Sequence, residues 1–154
     1  MSIIDIHCNW GPTAAAPSWN DASEISKALK ARGISQAFLS SSLARRYDPM
    51  AGNDAVADTV ANHPAGSCDL KGWLVCNPAQ LDEASSQLRR YLYTDNFMGL
   101  AVYPDPLLGH PVKYADFHEL FTLFTRYGKP LLIETPTAEA MAEAVNIAAP
   151  IGRA

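Results

Sequence analysis

Short apolar segments rich in β-branched and aromatic residues alternate with longer segments of helical periodicity along this chain. The short segments predict five β-strands, at residues 2–8, 35–41, 71–77, 97–103 and 130–135. The periodic segments predict helices at residues 21–33, 51–64, 81–92 and 114–128, and from residue 138 onward. Five successive strand–helix units predict an α/β fold with a parallel sheet, right-handed crossovers and helices covering the sheet.

Polar side chains lie near the carboxyl ends of the predicted strands, where prolines begin the following loops. Proline cannot donate to the hydrogen-bond ladder, so each strand is expected to stop there. In parallel α/β folds this end of the sheet carries the ligand site. The candidate site residues at this end are His7, Asn9, Asn77, Tyr103 and Glu134.

In the first predicted strand, within IIDIHCNWG at residues 3–11, polar residues occupy every second position. In a regular strand, successive side chains point to opposite faces of the sheet. The same rule points Glu134 inward on the face of Leu132. Strict alternation in the first strand predicts one face with Ile4, Ile6 and Cys8 and another with Asp5, His7 and Asn9.

His7 and Glu134 are the candidate catalytic residues. An imidazole and a carboxylate that face the same interior can act as a general base or as metal ligands. The structural alternatives are a hydrogen-bonded interior histidine and a solvated carboxylate at the strand end. Trp10 and Tyr103 either contact a substrate or only pack, and Asn9 is a candidate for a substrate-contacting or loop-fixing amide.

Two architectures fit the alternation of elements. One is an open doubly wound sheet of the flavodoxin type, which usually binds phosphate on a glycine-rich first loop, but residues 8–20 contain a single glycine. The other is a TIM-type (β/α)8 barrel of typically about 250 residues, of which five units would take about 156. A flat sheet in sequential order would hold the first and fifth strands about 19 Å apart. We expect a curled sheet in the order 1-2-3-4-5, which brings His7 and Glu134 together.

The composition is that of a soluble globular protein with a single domain over residues 1–154. Of the 154 residues, 48% are hydrophobic and 18% are charged, with a net charge of −4. This acidic balance, without a basic cluster, argues against a nucleic-acid partner. No apolar run reaches the ~18 residues of a membrane span, and the chain begins without a signal-peptide pattern. Three cysteines at no metal-ligand spacing indicate reduced structural thiols, so we expect a cytoplasmic protein.

Four segments together resemble the amidohydrolase superfamily. They are IIDIHCNWG (3–11), VCNPAQLDEASSQLRRYL (75–92), NFMGLAVYPD (96–105) and YADFHELFTLFTRYGKPLLIET (114–135). Their order and spacing are similar to the first five βα units of amidohydrolase-related metal-dependent hydrolases, a branch that includes decarboxylases similar to aminocarboxymuconate-semialdehyde decarboxylase. The resemblance implies a distorted TIM-type barrel, truncated here to about five units, with one or two divalent metals at the strand carboxyl ends.

The chain departs from the family pattern at the implied metal ligands. The family's first strand ends in two metal-binding histidines where this chain has His7-Cys8-Asn9, and Glu134 stands where the fifth strand usually has a ligand histidine. The sixth- and eighth-strand ligands have no counterpart before Ala154. The implied metal ligands are therefore His7 and Glu134, which predicts a divalent metal, zinc by preference, bound weakly or not at all.

The implied function is the hydrolysis or decarboxylation of a small-molecule carboxylate, ester, amide or lactone through a water activated by a metal or by His7 and Glu134. A metal-independent lactonase-like relative and a non-catalytic truncated copy are the alternatives. A partial barrel would also leave its first and fifth strands as unpaired edges. We therefore expect a homo-oligomer, or association with the complementing remainder of the barrel.

Overall fold

The structure is a computed structural model that describes residues 2–11, 21–104 and 114–151, with residues 114–116 described by their backbone alone. The strands are β1 (Ile3–Trp10), β2 (Ile34–Ser41), β3 (Asp69–Val75), β4 (Phe97–Val102) and β5 (Leu131–Ile133). The helices are α1 (Ala22–Ala31), α2 (Ser42–Arg46), α3 (Pro49–Asn62), α4 (Leu81–Tyr91), α5 (Tyr114–Phe124), which a 3-10 turn (Thr125–Tyr127) follows, and α6 (Ala138–Ile151). The predicted strands and the α/β class are confirmed, while the glycine-poor segment at 12–20 lies outside the described residues.

The five strands form one parallel sheet in the order β1-β2-β3-β4-β5. This sequential order is the one expected for a curled sheet. The apolar centres of the strands are in register, since Ala37 pairs with Leu70 and Leu74 pairs with Leu100. Within the described residues, β1 and β5 are the two edges of the sheet.

Side-chain caps satisfy the first backbone N–H groups of several helices. Asp21 accepts hydrogen bonds from two backbone N–H groups in the first turn of α1, at 2.7 and 2.9 Å, and Asp48 accepts one at the start of α3, at 2.9 Å. Gly33 follows α1 with φ +78°, a conformation that glycine adopts at little cost. Periodicity does not predict α2, because five residues make little more than one turn; Ser41 caps it by accepting from the Ala44 N–H at 3.2 Å.

A β-bulge in β1 breaks the predicted alternation. Asp5 pairs with Ala37 and Cys8 pairs with Leu39, so three steps along β1 lie opposite two steps along β2. Cys8 therefore packs against the core under the helices, whereas the side chain of Ile4 is 52% exposed. The prediction that Cys8 shares a face with Ile4 is wrong, because one extra residue in the strand reverses the alternation. For the same reason Asp5 lies on the side of Cys8, against α1, and not on the face of His7 as predicted.

Apolar side chains form two clusters on opposite faces of the sheet. The larger cluster lies between the sheet and its covering helices and includes Leu39, Leu74 and Leu100. The neighbours of these residues along each strand point to the opposite face, which we call the inner face. The inner-face cluster consists of Phe38, Ala44, Trp73, Val75, Ala101 and Tyr103, with Leu132 packed against it.

The sheet curls strongly toward its inner face. Nε1 of Trp73 on β3 donates to the carbonyl oxygen of Ile6 on β1 at 2.8 Å, reaching past β2. Nε2 of His7 on β1 and Oε2 of Glu134, just after β5, lie 3.3 Å apart. In a flat sheet these two strands would be about 19 Å apart. The predicted curl is therefore confirmed, and the five strands form a half-barrel in which a side chain of β1 contacts the side chain that directly follows β5.

Candidate active site

Polar side chains from several strands converge on the inner face at the carboxyl end of the sheet. His7 lies on β1 and Ser40 on β2, while Tyr103 directly follows β4 and Glu134 directly follows β5. Arg45 joins them from the short α2 that follows β2. Parallel strands all end on the same side of a sheet, so the curl brings side chains from both edge strands into contact.

His7 and Glu134 form the central pair of this site. His7 Nε2 lies 3.3 Å from Glu134 Oε2, and the two side chains are 28% and 37% exposed, so water reaches both. A carboxylate that accepts from an imidazole N–H orients the ring and stabilises its protonated form. The structure thus brings together the two residues that the sequence indicates as catalytic.

Arg45 is a site residue that sequence reasoning missed. Its Nη2 donates to Glu134 Oε1 at 2.7 Å, and its guanidinium carbon lies 4.4 Å from the centre of the Tyr103 ring. Both carboxylate oxygens of Glu134 therefore have partners, with Arg45 on one and His7 on the other. The available signal was a pair of arginines just after the second strand, in a segment too short for periodicity to assign.

Tyr103 connects His7 to β2. Its hydroxyl donates to Ser40 Oγ at 2.6 Å and lies 3.3 Å from His7 Nε2. Its ring is stacked on the imidazole of His7, with the centroids 6.1 Å apart and the planes at 24°. Burial raises the pKa of the Tyr103 hydroxyl, against smaller opposing effects of the Ser40 hydrogen bond and of Arg45. The hydroxyl therefore keeps its proton at neutral pH.

The other polar candidates make no side-chain hydrogen bond to this cluster among the described residues. Asn9 is exposed and pairs with Ser40 between β1 and β2. Trp10 belongs to the larger core cluster at 9% exposure, and its indole N–H has no hydrogen-bond acceptor among the described residues. Asn77 Oδ1 accepts from the backbone at 2.9 Å and fixes the turn after β3. Substrate contacts by Asn9 and Trp10 stay predictions.

A cleft of about 190 Å³ opens beside the cluster, at the carboxyl ends of β2, β3 and β4. Arg45, Arg46 and Tyr103 line it together with apolar and amide side chains, and its described lining includes no acidic residue. The chain as a whole has a net charge of −4. A concave site lined by two arginines in an acidic protein suits a small organic anion.

The described residues do not fit a catalytic zinc centre. Such a centre takes three protein ligands and keeps one position for water. In the ranges that the structure describes, no group of three or more His, Cys, Asp or Glu side chains is placed to hold a metal ion. The guanidinium of Arg45 also puts a positive charge against Glu134, where a metal cation would have to bind. Weak or absent metal binding stays a prediction for direct metal analysis.

Comparison with known proteins does not assign the chain to a family. No protein-family model matches the sequence, and no curated protein matches it. The similarity to amidohydrolases therefore rests on the sequence segments quoted above and stays a prediction. In the part of the chain that the structure describes, no helix combines the length and the apolar character that crossing a bilayer requires.

Proposed function

We propose that this protein is a hydrolase with a TIM-type (β/α) barrel architecture, of which the described residues supply five strands, and that His7 and Glu134 activate water for attack on a small ester, amide or lactone. The observation that carries the proposal is the 3.3 Å contact between His7 Nε2 and Glu134 Oε2 at the carboxyl end of the curled sheet. Parallel α/β enzymes build their active sites at this end. The sequential strand order agrees with the first five units of a barrel, and the amidohydrolase resemblance supports the reaction class.

His7 is the general base of the proposed reaction. It accepts a proton from water as the water oxygen attacks the substrate carbonyl carbon, and the carbonyl electron pair moves onto its oxygen. Glu134 stabilises the imidazolium that forms. The electron pair then returns, the bond to the leaving oxygen or nitrogen breaks, and the leaving group takes the proton from His7. One water is consumed. An ester or amide gives a carboxylic acid and an alcohol or amine, whereas a lactone opens to a single hydroxy acid.

Arginine supplies the positive charge that the oxyanion needs in this proposal. Arg45 is held by Glu134 and by the ring of Tyr103, and Arg46 lines the same cleft. A fixed guanidinium beside a developing negative charge stabilises the transition state without reorganisation. These contacts favour the metal-independent, lactonase-like version of the function over a zinc-dependent one, and they suit a substrate that carries a carboxylate. Decarboxylation of such a substrate is the alternative that the resemblance implies.

A panel of small lactones, esters and amides, assayed with and without EDTA, tests the proposal. We expect turnover that EDTA leaves unchanged, and a fall in kcat/KM of about 10²–10⁴-fold in His7→Gln. His63→Gln is the matched control. His63 is also a half-buried histidine beside a carboxylate, with its Nε2 3.8 Å from Oδ1 of Asp69. Asp69 begins β3, at the opposite end of that strand from the site. Equal activity of the two variants would refute the role of His7, and a panel without turnover would favour the non-catalytic alternative. Loss of activity with EDTA and recovery with zinc would favour the metal-dependent one.

We also propose that the protein associates with other copies of itself through β1 and β5, the edges of the sheet within the described residues. The edge strand β1 exposes three isoleucines, Ile3 at 46%, Ile4 at 52% and Ile6 at 63%. An unpaired edge with exposed apolar side chains is a template for strand addition. Light scattering at micromolar concentration should give a multiple of the 16.7 kDa chain mass, and Ile6→Lys should shift it toward the monomer. A monodisperse wild-type monomer would refute the association, and the remainder of a barrel is the alternative partner.

A cytoplasmic location is part of this proposal, and the cysteines support it. Cys8, Cys68 and Cys76 are all free thiols. Burial, with a smaller effect of nearby acidic groups, raises the pKa of Cys76 to about 12 and that of Cys8 to about 11. Thiols this weakly acidic are poor nucleophiles at neutral pH, so these two cysteines are structural.

A further inference from the structure

We propose that Tyr103 and Ser40 are positioning residues that hold His7 in the tautomer protonated at Nε2, so that Nδ1 is the nitrogen that takes the proton from water. The role of Nδ1 as the base rests on the proposed function. The tautomer itself is a property of the free protein and can be measured without a substrate.

Glu134 favours a hydrogen on Nε2 of His7. Its Oε2 lies 3.3 Å from Nε2, and an ionised carboxylate has no hydrogen to donate. If Nε2 carried a lone pair instead, two electron-rich atoms would face each other with no proton between them. The hydrogen is therefore better placed on Nε2 than on Nδ1.

The direction of the Tyr103 O–H determines whether Tyr103 also favours a hydrogen on Nε2 of His7. If the hydroxyl donates elsewhere, its oxygen can accept from Nε2–H; if it donates to Nε2, it favours the other tautomer. Tyr103 donates to Ser40 Oγ at 2.6 Å, whereas its oxygen is 3.3 Å from His7 Nε2. Ser40 is only 1% exposed, so water does not compete for this hydrogen bond. With its hydrogen directed to Ser40, the phenolic oxygen is left to accept from Nε2–H. Ser40 thus acts on His7 through Tyr103.

Among the described residues, the second ring nitrogen of His7 has no partner. Nδ1 makes no hydrogen bond to any residue within the described ranges, and the side chain is 28% exposed. Stacking on the Tyr103 ring restrains the orientation of the imidazole. A neutral imidazole has one donor and one acceptor nitrogen, so a hydrogen fixed on Nε2 leaves a basic lone pair on Nδ1 of this partly exposed side chain.

Nitrogen-15 NMR of the histidine side chains reads the tautomer directly, because a ring nitrogen with a lone pair resonates far downfield of one that carries a hydrogen. Spectra are recorded on the full chain at about pH 8.5, where histidine side chains are ordinarily neutral, and the His7 signals are assigned by their loss in His7→Gln. We expect a downfield Nδ1 and an upfield Nε2. In Ser40→Ala the Tyr103 hydrogen can turn toward Nε2, so both His7 shifts should move toward the average of the two tautomers. Ser40→Thr keeps the hydroxyl and should restore the wild-type shifts.

Ser26→Ala is the matched control, because Ser26 is also fully buried and its hydroxyl donates to the Cys68 carbonyl at 2.9 Å, away from the site. It should leave the His7 shifts unchanged. A wild-type His7 with its hydrogen on Nδ1, or a folded Ser40→Ala with unchanged shifts, would overturn the inference. The wild-type spectrum decides the tautomer even if Ser40→Ala does not fold. If His7 carries its hydrogen on Nε2 but the protein hydrolyses no substrate of the panel, only the proposed function is refuted. If the protein is active but His7 carries its hydrogen on Nδ1, only this inference is refuted.

Discussion

Replacing Asn53 with alanine should strongly destabilise this protein. The buried amide of the Asn53 side chain makes the two backbone hydrogen bonds that a neighbouring strand would otherwise make at the end of β3. Asn53 lies on α3 and is fully buried. Its Nδ2 donates to the carbonyl of Val75 at 2.9 Å, and its Oδ1 accepts from the N–H of the same residue at 3.0 Å. Val75 is the last residue of β3 and belongs to the inner-face cluster. Asn53 thus fixes the strand end that carries one wall of the cleft.

The expected loss of stability follows from the two backbone groups of Val75. Val75 is buried, so water cannot readily replace the amide of Asn53. Each buried polar group that loses its partner costs about 1–3 kcal/mol, so the substitution should lower the free energy of unfolding by about 2–6 kcal/mol. The total stability of a domain is typically about 5–15 kcal/mol, so the effect is a large fraction of it.

Urea unfolding followed by circular dichroism measures this difference. Asn62→Ala is the matched control, since Asn62 lies on the same helix and its Nδ2 donates to the backbone of Asp58 at 2.8 Å in an exposed position. The control should change the free energy of unfolding by no more than about 0.5 kcal/mol. If both variants unfold at the same urea midpoint, the pairing of Asn53 with β3 does not stabilise the fold and the reasoning is refuted.

Three further predictions concern alkaline stability, strand packing and the cationic cleft. Burial raises the pKa of Cys76 from 9.0 to about 12, so above pH 9 the native state keeps a proton that the unfolded state loses, and the free energy of unfolding should fall by up to about 1.4 kcal/mol per pH unit between these values. In Cys76→Ala the free energy of unfolding, measured by urea titration at about pH 8 and pH 10, should fall less between these two pH values than in the wild type. An equal fall in the two proteins would contradict the role of Cys76. Gly99→Ala should lower Tm, because a Cβ at Gly99 would overlap the carbonyl oxygen of Pro130, and an unchanged Tm would show that the strands can separate. Arg45→Met should lower kcat about 10²-fold or more if its charge stabilises the oxyanion, and an effect on KM alone would assign it to substrate binding.

The half-barrel was largely predictable because its determinants are local or depend on simple alternation. Each strand is a short apolar segment, and Asp21 and Gly33 delimit the first helix by capping and by a positive φ. Five strand–helix units leave few sheet topologies, and two polar strand ends at opposite edges of a curled sheet must meet. The contact between His7 and Glu134 could therefore be predicted from the strand order together with the curl of a barrel.

The remaining features depend on contacts that no local pattern encodes. The bulge in β1 lies between Asp5 and Cys8, where no glycine marks it in the sequence. It is visible only in the pairing with β2, so alternation alone assigned Cys8 to the wrong face. Arg45 lies on a helix of five residues, where periodicity has too few positions to act. Its partner Glu134 lies after the last strand of the sheet, so their ion pair appears only once the sheet has curled.

The charges of the site agree with a reaction that needs no metal. At rest, the guanidinium of Arg45 and the carboxylate of Glu134 compensate each other at 2.7 Å, beside the imidazole of His7. In the proposed step a proton moves to His7 while a negative charge forms on the substrate oxygen, so the net charge of the site with its substrate stays constant. A zinc ion bound at Glu134 would instead place two positive charges beside Arg45 with a single carboxylate between them. This repulsion adds to the lack of a third ligand among the described residues. The same arginine that makes a metal unfavourable is thus the group that can take over its electrostatic role.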